Sequence, residues 1–92
     1  MTENGFQTVL LRTKVGERVD YHTGHLAHDR EHSVALHVIG MLAYGLQMIG
    51  AVQLGQERVI PGIYKYYLRV LRPIRQVDFD YGRKTYLETE EN

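Results

Sequence analysis

Apolar residues are distributed along this chain with two different periods. From Val34 to Ile49 nearly every position is apolar, and the polar or small exceptions His37, Gly40, Tyr44 and Gln47 recur every three to four residues. That spacing is helical, and a helix apolar nearly all round must be buried on most sides. Gly50 is placed as its C′ residue, while Asp29 can cap its start with Glu31 in the first turn. Leu36, Ile39, Leu42, Leu46 and Ile49 are the expected core face, with the second face covered by the protein's own loops or by a second copy in a homodimer. Gly40, Gly45 and Gly50 recur at five-residue intervals, which permits close approach of a strand or another helix.

The remaining apolar residues read as strands. Val9, Leu10 and Leu11, in Phe6 to Thr13, precede the break Lys14-Val15-Gly16-Glu17, and Arg18 to His22 then alternates polar with apolar. This predicts a first hairpin. Ala51 to Ile60 and Ile63 to Arg72 flank Pro61-Gly62 and predict a second. Val77, Phe79 and Tyr81 alternate with Asp78 and Asp80, and Gly82 is expected to turn the chain into a last short strand, Lys84 to Leu87. The fold class is therefore α+β: one central helix on a mostly antiparallel sheet built from hairpins. Residues 1–92 make a single domain, with frayed ends over about 1–5 and 88–92.

Size and composition narrow this further. A chain of 92 residues buries only about 60–65% of its unfolded surface, so association would help its stability. It has no cysteine, which excludes disulfides, thiolate metal sites and a cysteine nucleophile. That fits a reducing cytoplasm, and the polar start Met1 to Gly5 does not resemble a signal peptide. No charge lies between Glu31 and Glu57, but His37, Gln47, Gln53 and Gln56 interrupt the run and its second half reads as strand, so no membrane partner is expected.

Eleven basic residues balance eleven acidic ones, which argues against coating nucleic acid by bulk charge. The distribution is less even, because Arg58, Lys65, Arg69, Arg72 and Arg75 fall in one run without an acidic residue. On an extended strand Ile63, Lys65, Tyr67, Arg69 and Leu71 share one face. Two cations beside an aromatic ring suit phosphate contact with base stacking, or a protein partner that uses Tyr and Arg as anchors. Arg58, Lys65, Tyr67, Arg69, Arg72 and Arg75 are therefore the candidate partner or nucleic-acid surface. Charge reversal at Arg69 and Arg72 is expected to abolish binding and leave folding nearly unchanged.

The second cluster is His22, His25, His28, His32 and His37, with Asp29 and Glu31 among them. His28 and His32 would share a helical face, one turn after His25, an arrangement able to bind Zn or Ni. His25, His28 and His32 are the metal candidates. The cluster lacks the H-E-x-x-H motif, however, and is expected to be a flexible, solvated connector that holds no metal and no cofactor. Gly-rich phosphate loops, nucleophile elbows and catalytic cysteines are absent from the sequence, so an enzyme is the least supported class.

The helix ending at Gly50, the strand after it, the Pro61-Gly62 turn and the basic strand resemble the helix-plus-wing end of a winged-helix domain. The match covers Ser33 to Arg72 and lacks a clear preceding helix-turn-helix pair. Gly24-His25-Leu26-Ala27-His28-Asp29-Arg30 with Val52-Gln53-Leu54 resembles short phage and prophage proteins, among which the anti-CRISPR proteins are similar in type. That second resemblance implies a non-enzymatic binding protein that blocks a host protein or nucleoprotein complex in the host cytoplasm. The first implies a DNA-binding regulator in direct nucleic-acid contact.

Overall fold

The computed structural model describes residues 1–91, with side chains described for residues 1–88. The elements run α1 (Glu3–Arg12), β1 (Arg18–Gly24), α2 (Leu26–Asp29), a 3-10 turn (Arg30–His32), α3 (Val34–Met48), β2 (Val52–Ile60), β3 (Ile63–Val70) and α4 (Gln76–Glu91). The strands form one antiparallel sheet in the order β1-β3-β2. The class is α+β as the pattern implied, with α3 as the expected long apolar helix.

Helix α3 starts at Ser33, whose hydroxyl accepts from the Leu36 amide, and not at Asp29. Its end is satisfied by the Gly50 amide donating to the Gln47 carbonyl and the Ala51 amide to Leu46, the paired bonds of a Schellman stop. Ile39, Leu42, Ala43 and Leu46 are buried with Val52, Leu68 and Val70 of the sheet, each large side chain contributing about 1.5–3 kcal/mol. Leu36 and Ile49 are only half-buried. Among the described residues no helix is long and apolar enough to cross a membrane.

Two expected elements differ. The first hairpin does not form, because Glu3–Arg12 is helical and β1 pairs with β3 instead. The helical period prevails there: Phe6 and Leu10, four apart, are both fully buried, while Val9 and Leu11 stay exposed. The Thr2 hydroxyl caps this helix by accepting from the Gly5 amide, so α1 begins within residues 1–5. At the other end Lys84 to Leu87 is not a strand, and Gly82 is not a turn. Both belong to α4, which runs to Glu91, and the side chains of 89–91 and all of Asn92 lie outside the described residues.

Helix α4 is specified by its start and by one face. Asp78 stands in its first turn and accepts from the Arg75 amide at 2.8 Å, the backward half of a capping box. Asp78, Phe79 and Gly82 are buried, with Gly82 four and three residues beyond the other two, as on one helical face. That face lies on α3 where Gly82 meets Gly45, so closely that a Cβ on Gly45 would run into the Gly82 carbonyl. Arg83 pairs with Glu3, and Gln76 donates to Gln7 at 3.2 Å, which ties α4 to α1.

This crossing makes a prediction of unusual sign. Gly→Ala inside a helix normally stabilises by about 0.5–1 kcal/mol. Gly45→Ala is expected to destabilise by about 1–3 kcal/mol, because the helices must part to admit the methyl group. Urea unfolding should show a lowered midpoint with an unchanged slope, and a raised midpoint would contradict the close crossing.

Candidate nucleic-acid interface

The β2–β3 hairpin projects beyond the core. Ile60 pairs with Ile63 across Pro61-Gly62, and Gly62 has φ +83°, the value required at the second central position of a type II turn with proline before it. The tip is apolar and solvent-facing, with Val59 and Ile60 more than half exposed. Arg58 pairs with Tyr64 and Lys65 with Glu57 just behind it. Residues 58 and 65 occupy successive pair positions, so their side chains leave the ribbon on opposite faces.

β1 ends beside this hairpin, Gly24 pairing with Tyr64, one residue inside the turn-flanking pair. Its register slips between Asp20 and His22, which turns both Tyr21 and His22 toward the helices. His22 stacks on Tyr66 with ring centroids 6.1 Å apart, and the Tyr66 hydroxyl accepts from the Leu26 amide at 3.1 Å. The hairpin is thereby clipped to the first residue of α2. The segment expected as a connector is helical over Leu26–Asp29 and Arg30–His32.

Local hydrogen bonds explain that order. His25 caps α2, its Nδ1 accepting from the His28 amide at 3.3 Å. Asp29 Oδ2 accepts from the His25 amide at 3.0 Å and lies 2.8 Å from His22 Nε2. The His22 contact, followed by the His25 amide, holds the Asp29 carboxyl below its ordinary value of 3.8. α2 and the 3-10 turn are joined to α3 by Ser33 alone, so a short helix, a tight turn and a long helix stand together directly before the hairpin.

Arg30 bridges the pair. Its Nε donates to His37 Nδ1 at 3.3 Å and its Nη2 to the His37 carbonyl at 3.2 Å, with the guanidinium lying over Gly40. Accepting at Nδ1 leaves the proton of a neutral His37 on Nε2, as an outward donor. The first turns of α3 therefore present His37, Ala35 and Val34, the last 83% exposed. They follow α2 from the hairpin end of the sheet, while α3 runs back to enter β2 at the pair of Val52 with Val70.

The candidate cations do not form one patch. Lys65, Tyr67 and Arg69 share the outer sheet face, as alternation implied. Arg58 projects on the other face, and Arg72 lies eight residues beyond its partner Tyr64, roughly 26 Å along the strand direction. Nor is the outer face free of acid. Arg18 and Asp20 from β1 and Glu57 from β2 stand on it. Arg18 bonds Asp20 at 2.8 Å, pairs with Glu57, and sits 3.8 Å from the Tyr67 ring centroid. Arg18 holds the Glu57 carboxyl below its ordinary range. Arg69 donates to the Gly16 carbonyl at 2.7 Å and closes the turn into β1.

Arg72 serves α4 through its side chain, and Arg75 through its backbone amide. Arg72 Nη1 and Nη2 lie 3.0 and 3.2 Å from the two oxygens of Asp78, which is 2% exposed. The His22–Tyr66–Leu26 clip and the Arg30–His37 bridge were not foreseeable from local pattern, since each joins residues through the β1 bulge or the helix pair. Compared with known proteins, the chain matches no family model, no curated protein and no solved structure.

The Asp78 pair makes reversal of Arg69 and of Arg72 unequal in effect. Arg72→Glu should destabilise by about 1.5–3 kcal/mol, since it leaves a buried carboxylate without its charged donor. Arg69→Glu should cost under about 1 kcal/mol, as expected for an exposed charge. Arg72 lowers the Asp78 carboxyl below its unfolded value of 3.8, so the native state favours the charged form. Its contribution is present above about pH 4 and lost as the pH falls through the lower folded value. Asp78→Asn should therefore lower stability at neutral pH and flatten the acid limb of a melting-temperature profile. Equal effects of the two reversals would contradict the assignment.

Proposed function

We propose that this chain is a non-enzymatic, winged-helix-type nucleic-acid-binding module, acting as a small regulator that docks on duplex DNA. The observation that carries this reading is the short helix, Ser33 turn and long helix immediately ahead of a projecting hairpin. The sequence resemblance to a winged helix lacked that pair. In helix-turn-helix readers the second helix enters the major groove by its N-terminal residues. Here those residues are Ser33, Val34, Ala35 and His37.

Their chemistry fits a limited code. An Nε2–H donor on His37 can reach a guanine or thymine acceptor or a phosphate, and the exposed Val34 and Ala35 suit a thymine methyl group. Arg58 and Lys65, on opposite faces of the hairpin behind its tip, flank a backbone as phosphate contacts. The apolar tip of Val59, Ile60 and Pro61 suits a groove wall more than open solvent. A net charge of zero implies few phosphate contacts and modest non-specific affinity.

A second reading is favoured by a separate observation. The exposed side of α3 carries Tyr44 and Met48, and Tyr44 meets Tyr86 of α4 edge to face at 5.7 Å. An apolar surface of this kind suits a protein partner. On that reading the chain is a phage-encoded inhibitor of a host protein or nucleoprotein complex.

Fluorescence anisotropy with mixed-sequence duplex DNA over a range of salt separates them. The first reading expects binding whose log affinity falls linearly with log salt. Arg58→Ala and Lys65→Ala should each reduce the slope by about 1, and His37→Ala should weaken specific sites by about 1–3 kcal/mol. Absence of duplex binding at low salt, with the chain folded, would remove this reading in favour of the protein partner.

A further inference from the structure

We infer that His28, Glu31 and His32 form a three-ligand surface site for a divalent transition metal of the zinc and nickel class. One ligand atom from each of the three residues lies within 4.8 Å of the others. The His28 and His32 rings stand edge to face with centroids 5.0 Å apart. Residues 28, 31 and 32 follow the i, i+3, i+4 spacing of a single helical turn, so their side chains leave the same side of the backbone.

The surroundings keep these three ligands available. Asp29, the nearest competing carboxylate, is taken by His22 and the His25 amide. Arg30 would repel a cation from within the cluster, but its guanidinium is drawn off to His37 and Gly40. His25 Nδ1 is engaged as the cap of α2, so the histidine one turn before the cluster is a support and not a ligand. Among the described residues no hydrogen bond engages the side chains of His28, Glu31 or His32, so no side-chain hydrogen bond has to be broken when a metal is bound.

Ligand chemistry selects the ion. Two imidazoles and one carboxylate suit zinc, nickel, copper or cobalt, whereas magnesium and calcium require oxygen-dominated sites. In a tetrahedral site with ligands about 2.0–2.2 Å from the metal, the ligand atoms stand roughly 3.3–3.6 Å apart. The three atoms, now within 4.8 Å of one another, close to that spacing by side-chain rotation, which is open to them because all three residues are exposed. Three protein ligands leave a fourth tetrahedral position for water. The site does not depend on DNA recognition, so its failure and the failure of duplex binding are separate results.

Isothermal titration of the untagged full chain with zinc chloride tests this, followed by imidazole NMR. The expected result is one zinc per chain, with ring resonances of two of the five histidines perturbed. His28→Ala and His32→Ala should each weaken binding at least about tenfold, the lower bound for losing even an outer partner of a ligand. Glu31→Gln should weaken it less, and His22→Ala should leave the stoichiometry at one. No stoichiometric zinc binding would overturn the proposal. So would binding that survives unchanged in the folded His28→Ala and His32→Ala variants, or that perturbs other histidines.

Discussion

The backbone contact between Gly45 of α3 and Gly82 of α4 is the constraint from which the rest of the architecture follows. α3 is apolar on nearly every side, and a three-stranded sheet can cover only one of them. The other is closed by α4, which comes so near that a Cβ on Gly45 would run into the Gly82 carbonyl. With α4 seated there, α3 is covered by the chain itself along most of its length. Its first turns and a narrow stripe at Tyr44, Gln47 and Met48 are what remain outside.

The same constraint decides how the charges are used. Seating α4 needs a firm start, and Asp78 supplies it by accepting from the Arg75 amide and from Arg72. One cation of the basic run, Arg72, is therefore part of the helix start, while Arg75 contributes its backbone amide. Arg18 in turn draws Asp20 and Glu57 onto the sheet face that carries Lys65, Tyr67 and Arg69. At the hairpin end α2, the start of α3 and the Pro61-Gly62 tip converge, and the histidines cluster there beside Arg58 and Lys65.

Much of the centre of this fold was legible because it rests on local signals. The Val34 to Met48 helix, its stop at Gly50 and the hairpin around Pro61-Gly62 each follow from period, capping and turn chemistry within a few residues. The ends were misjudged where two periods compete. Val9-Leu10-Leu11 and Val77, Phe79, Tyr81 both satisfy alternation, yet Phe6 with Leu10 and Asp78 with Phe79 and Gly82 satisfy a helical face that the core rewards. The site was less legible than the fold. A linear run of cations says nothing about the acids that β1 and β2 bring beside it, and the α2 order depends on Asp29 and Tyr66 meeting partners through a strand bulge.

The central claim is that the hairpin end, with the first turns of α3, is the working surface of the molecule. Amide chemical-shift mapping on titration with a short mixed-sequence duplex tests it most directly. The account predicts that perturbations concentrate at Ser33 to Val38 and at Arg58 to Lys65, leaving α4 and the start of β1 at Arg18 unaffected. Perturbations centred on Tyr67 and Arg69, or on Tyr44, Met48 and α4, would contradict it.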